Sequence, residues 1–141
     1  MARDERRETG DERRARNNSH RGYGYRELVV WQKGIELVKR IYALTQSFPS
    51  EERFGLVSQM RRAAVSVPSN IAEGQARHTT REFIQFVSHA EGSLAELDTQ
   101  VRLGMELGYC TDGESAEISP MIEEMQRMLN GLRRNLAAKR A

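Results

Sequence analysis

Four stretches of this chain place an apolar residue at every third or fourth position. Leu28, Trp31, Ile35, Val38, Tyr42 and Thr45 do so over residues 26–46, and Leu56, Met60, Ala63 and Val67 over 51–75. Phe83, Val87, Ala90, Leu94, Leu97, Val101 and then Gly104 or Met105 follow over 80–107. Ile118, Ile122, Met125, Leu129, Leu132 and Leu136 complete the set over 113–138. Sustained alternation of threes and fours is the seam of helices packed at shallow angles. No stretch alternates with the period of two that a half-buried strand requires. The spacing predicts an all-α protein. Its short connections make it an antiparallel up-down-up-down four-helix bundle, with helices about 30–40 Å long.

Capping chemistry marks the boundaries independently. Thr79 and Glu82, and again Thr111 and Glu114, stand three apart as a capping box requires. Ser50 suits the start of the second helix, and Gly108 the left-handed end of the third. Pro68 is the anomaly. An interior proline removes a backbone donor and crowds the preceding turn, costing ~3 kcal/mol or more. Ser66, Ser69 and Asn70 surround it. Two readings stand: a kinked helix whose Ala64 carbonyl finds a hydroxyl, amide or water, or a polar pocket in which Asn70 and Glu73 face a ligand or partner.

At 141 residues the chain suits one domain. Residues 1–22 carry seven arginines and five acids with almost nothing apolar, which predicts a disordered charged tail. Residues 23–141 are expected to form the bundle. They hold fifteen basic and fifteen acidic residues, so the positive charge of the whole chain is that of its tail. The lone Cys110 rules out an intrachain disulfide and fits a reducing, cytoplasmic setting. No stretch approaches the ~18 apolar residues of a membrane span, and the N-terminus lacks the apolar core of a secretory signal.

The first two helices carry a second apolar stripe, displaced by about 100° from the first. Val30, Gly34, Leu37, Ile41 and Leu44 form it on one, and Val57, Met60, Ala64, Val67 and Ile71 on the other. Either these helices are broadly buried, or the stripe is a homo-oligomer interface centred on Val30, Leu37, Ile41, Leu44, Val57, Ala64 and Ile71. The interface is the working expectation.

Several motifs carry a resemblance. Val30-Trp31-Gln32, Phe48-Pro49, Gln59 to Ala64, Gly92 to Leu97 and Gly108-Tyr109 accompany a segment built on Ser66, Pro68, Ser69, Asn70, Glu73 and Gly74. Together they resemble the family named for the 23S rRNA intervening sequence, also labelled S23 ribosomal proteins, over residues 25–138. The resemblance implies antiparallel four-helix bundles that tend to form pentameric rings. It extends distantly to the accessory protein of diversity-generating retroelements, a basic barrel that binds nucleic acid and a reverse transcriptase. The neutral charge of residues 23–141 departs from that relative.

Arg61, Arg62, Arg77, Arg81, Arg133, Arg134, Lys139 and Arg140 are the candidate nucleic-acid contacts, as a rim repeated around a ring. The competing account is that such charges mark the ends of the bundle and complement helix dipoles. A binder of this kind reads backbone rather than base sequence. Arg21 to Arg26, with its glycines and tyrosines, is either a solvated linker or a single-strand contact. No catalytic constellation is present. His89 has Phe86, not a carboxylate, three residues before it, so the Glu-x-x-His signature of di-iron bundles is missing there. Cys110 has no second thiol, and no phosphate-cradling glycine loop exists. The expectation is a non-enzymatic oligomeric scaffold, without cofactor, metal or small-molecule substrate, that binds RNA through arginines. The alternative is a structural oligomer that binds only protein.

Overall fold

Two helices begin at the threonine caps that the sequence predicts, Thr79 and Thr111, whereas the second long helix begins after Gly55 and Ser50 opens a 3-10 turn ahead of it. The computed structural model describes residues 24–140, and the charged tail expected at 1–22 lies outside them. A 3-10 turn, Gly24–Glu27, leads into α1 (Val29–Thr45). A second, Ser50–Glu52, precedes α2 (Leu56–Gln75). Helix α3 (Thr80–Glu106) starts with the Thr79 hydroxyl accepting from the Glu82 N–H. The Thr111–Glu114 box is complete in both directions and opens the short α4 (Asp112–Ser115). Gly108, at φ +77°, ends α3: its N–H reaches the Met105 carbonyl, and that of Tyr109 the Gly104 carbonyl.

The fourth long helix, α5 (Ile118–Arg140), starts later than the spacing predicts. Pro120 is the reason. It has no N–H for the Ala116 carbonyl, and its ring crowds that group. The chain therefore turns at 116–117 and restarts, rather than running through from 113.

Cross-helix pairs fix an antiparallel register. Arg61 meets Tyr42 near the α1–α2 connection, while Gly34 meets Pro68 farther along. Ser66 meets Ser93, and Gly74 meets Phe83 and Phe86. Arg133 reaches back to Glu91, and Lys33 and Arg40 reach Glu124 and Glu117. Helix α2 packs on α1 and α3, and α5 on α3 and α1, closing the bundle. The described residues contain no strand.

On α1 the core takes the second apolar stripe in place of the first, and on α2 both are buried, Met60, Ala63 and Val67 as fully as Val57, Ala64 and Ile71. Val30, Leu37, Ile41, Leu44, Val57, Ala64 and Ile71, expected at an interface between copies, are each at most 7% exposed within one chain. They are the bundle's own core. Ile35 and Tyr42, expected in the seam, are 40% and 41% exposed. Both stripes are apolar, so hydrophobicity does not choose between them. Gly34 does: a Cβ there would lie 3.2 Å from Pro68 Cβ and 3.5 Å from Met125 Cε. The stripe with the small residue can approach α2 and α5 closely, and the stripe carrying Trp31 and Tyr42 turns outward.

Helix α2 runs through Pro68 for 20 residues without a break. The polar neighbours tie helices together. The Asn70 amide donates to the Ser66 carbonyl (2.7 Å) and hydroxyl (2.8 Å), and that hydroxyl lies 2.8 Å from Ser93 Oγ on α3. Hydrogen-bonded groups of this kind satisfy polarity that a buried helix contact would otherwise strand.

Candidate nucleic-acid interface

The distribution of paired and unpaired cations singles out one surface. Lys33, Lys39, Arg40, Arg77, Arg102 and Arg133 each have a carboxylate partner. Most of these pairs are half exposed and worth about 0–1 kcal/mol. Arg53, Arg61, Arg62, Arg81, Arg127, Arg134 and Lys139 make no ion pair among the described residues. Three of these seven, Arg53, Arg61 and Arg62, converge on one groove between α1 and α2.

This groove encloses about 620 Å³ and is lined by the three arginines, Tyr42, Phe54, Val57, Ser58, Val65 and Ser66. It has no carboxylate in its lining. Arg61 and Arg62 are successive residues of α2, so they point about 100° apart. Arg61 leans back onto α1. Its Nε donates to Thr45 Oγ1 at 3.0 Å, and its guanidinium lies 4.4 Å from the Tyr42 ring centroid. These partners are neutral, so they orient the charge without cancelling it. Arg62 is exposed. Phe54, in the α1–α2 connection, is 90% exposed with the Arg53 guanidinium 5.6 Å from its centroid. Beyond Val65 the groove continues as an apolar trough of about 300 Å³ that includes Trp31, Ile35, Val38 and Pro68.

The structure does not gather all eight expected cations. Arg61 and Arg62 lie in this groove. Arg77 and Arg81 flank the α2–α3 turn, with Arg77 fifteen residues or roughly 22 Å along from Arg62. Arg77 is held by Glu73 at 3.1 Å and lies over the Phe86 ring. Arg133 bonds Glu91 at 2.7 Å and Asn130 at 3.2 Å, and the bond to Glu91 raises its pKa further. Arg134 and Lys139 are exposed on α5, and Arg140 ends that helix. Within one chain these residues form two ends rather than one rim. Sequence reasoning missed Tyr42, Arg53 and Phe54 as site residues. An arginine–aromatic pair in a short turn after Pro49 is the signal that points to the last two.

The Ser66–Gly74 motif is largely architectural. Pro68 and Gly74 are buried, Ser66 and Asn70 bond within the bundle, and Glu73 pairs with Arg77. Pro68, Ser69 and Ala72 line the trough, and of these Ser69 is exposed. Cys110 is buried, and burial, then Glu114 and Asp112, raise its thiol pKa, opposite to a thiolate nucleophile. No group of three or more His, Cys, Asp and Glu side chains among the described residues can hold a metal ion. None of the described helices is long and apolar enough to cross a membrane.

Comparison with known proteins supplies the context. Residues 26–131 match the profile of a family described as 23S rRNA-intervening sequence protein. A crystal structure of a protein of unknown function from the S23 ribosomal protein family of Bacteroides thetaiotaomicron VPI-5482 matches with a TM-score of 0.67. The two are 22% identical, and the match covers 74% of this chain and 98% of that one. At that identity the likeness speaks for the fold. No curated protein matches the chain.

Proposed function

Because the chain belongs to the 23S rRNA-intervening sequence protein family, we propose that it is a non-catalytic accessory bundle that binds nucleic acid, RNA in the first instance, through the phosphate backbone. One observation carries this reading: Arg53, Arg61 and Arg62 share a groove that contains no carboxylate. Guanidinium groups suit phosphate oxygens, and a site without base-reading geometry binds many sequences alike. Fluorescence anisotropy of a labelled mixed-sequence RNA across a salt series tests it. Three phosphate contacts give a slope of log affinity against log salt of about −2, and Arg62→Ala makes that slope shallower by about 0.7. No binding at ~50 mM salt ends the proposal.

A second reading rests on the trough. Trp31, Ile35, Val38 and Val65 form an outward apolar strip that a monomer leaves wet. Copies of the chain associate through it, in a five-membered ring by family resemblance. Sedimentation at micromolar concentration is expected to give an oligomer, and Val65→Asp a monomer. A monomeric parent chain would refute this second reading and leave the first standing.

A further inference from the structure

We infer that the ligand of this groove is a single strand, with one base stacked on the open face of Phe54 and its phosphates on Arg53 and Arg62. The inference rests on the nucleic-acid reading above and adds to it which form of nucleic acid the groove takes.

Phe54 is the anomaly of the surface. No other large apolar residue among those described exceeds 57% exposure, whereas this ring stands at 90%. It is not on a loose loop. The Arg53 N–H donates to the Ser50 carbonyl (3.2 Å) and the Gly55 N–H to the Glu52 carbonyl (3.0 Å). The next N–H, that of Leu56, donates to Glu52 Oε2 at 2.9 Å. Three of the four backbone donors from Arg53 to Leu56 are therefore bonded, those on either side of Phe54 among them, and the ring is presented on a hydrogen-bonded turn. The Arg53 guanidinium lies over the ring, which leaves the other face for a flat partner. Tyr42, half exposed with Arg61 beside it, offers a second aromatic surface in the same groove.

An aromatic face beside uncompensated arginines is the chemistry by which single strands are held: stacking for bases, guanidinium for phosphates. A duplex cannot use it, because its base faces are already stacked on each other. It also cannot enter a groove between helices whose axes lie about 8–10 Å apart. An acidic peptide would satisfy the arginines but has no need of a rigidly held, fully wet phenyl ring.

The test compares a labelled RNA strand with the same strand annealed to its complement, on the full chain at ~50 mM salt. The single strand is expected to bind more tightly than the duplex. Phe54→Ala is expected to weaken single-strand binding roughly ten-fold, and Phe54→Trp to retain it. Thermal unfolding is expected to be unchanged in both variants, since the ring makes little packing contact. Equal affinity for strand and duplex, or full affinity in Phe54→Ala, overturns the inference while leaving backbone binding intact. Failure to bind either form removes the underlying reading too. Capture of a glutamate-rich amphipathic peptide in their place, lost in Arg53→Ala/Arg62→Ala, would assign the groove to a protein partner.

Discussion

Leu37→Ala is expected to lower stability by about 2–5 kcal/mol, the range for emptying a fully buried leucine site. The loss should be the same at every protein concentration. Leu37 is 0% exposed within one chain, so its burial does not wait for a second copy. A residue buried only by association would show a concentration-dependent midpoint. Denaturant titrations at two protein concentrations separate the cases. Ile35→Ala, one stripe over and 40% exposed, is the contrast: little change in the isolated chain. A small, concentration-dependent effect for Leu37→Ala would mean that the stripes are assigned the wrong way round.

The second large effect concerns two glycines with opposite expected signs. A Cβ at Gly74 would lie 2.6 Å from Phe86 Cβ and 3.0 Å from Phe83 Cδ1. The first contact is with an atom next to the backbone, which cannot swing aside, so α2 and α3 must separate. Overpacking of this kind costs about 1–3 kcal/mol. Alanine's better helix propensity, about 1 kcal/mol, offsets only part of it. At Gly92 in α3 an added Cβ meets nothing within 4 Å, so Gly92→Ala is expected to gain up to about 1 kcal/mol. Thermal melts of the two variants should move in opposite directions. A rise in midpoint for Gly74→Ala would refute the close approach of α2 and α3.

The parts of this fold that were legible in the sequence are those governed by local chemistry. Thr79, Thr111 and Gly108 cap helices because the groups they satisfy lie within a few residues. The inward direction of α1 is not local. Two apolar stripes 100° apart look alike until Pro68 and Met125 select the one containing Gly34. Pro120 is legible in principle, yet Ile118 and Ile122 keep the helical spacing across it and conceal the break. The site was less legible still. Arg133 and Arg134 are adjacent in sequence, but the first is neutralised by Glu91, 42 residues earlier. Arg53 and Arg62 are nine apart, one in the connection and one on α2, and only the folded chain sets both along one groove.

The stapled end of the bundle carries an evolutionary consequence. The Tyr109 hydroxyl donates to Glu52 Oε1 at 3.1 Å, and its ring packs 5.6 Å from that of Phe48. One connection thus braces the other, and Glu52 in turn holds the turn under Phe54 through Leu56. A change in the α3–α4 connection is therefore transmitted to the turn that carries Phe54 without touching it. Drift at Tyr109 is not free, although the residue contributes nothing to the groove itself. Lineages that remodel one connection are expected to remodel the other in step. The pair of connections, rather than either alone, is the unit that sets how Phe54 is presented.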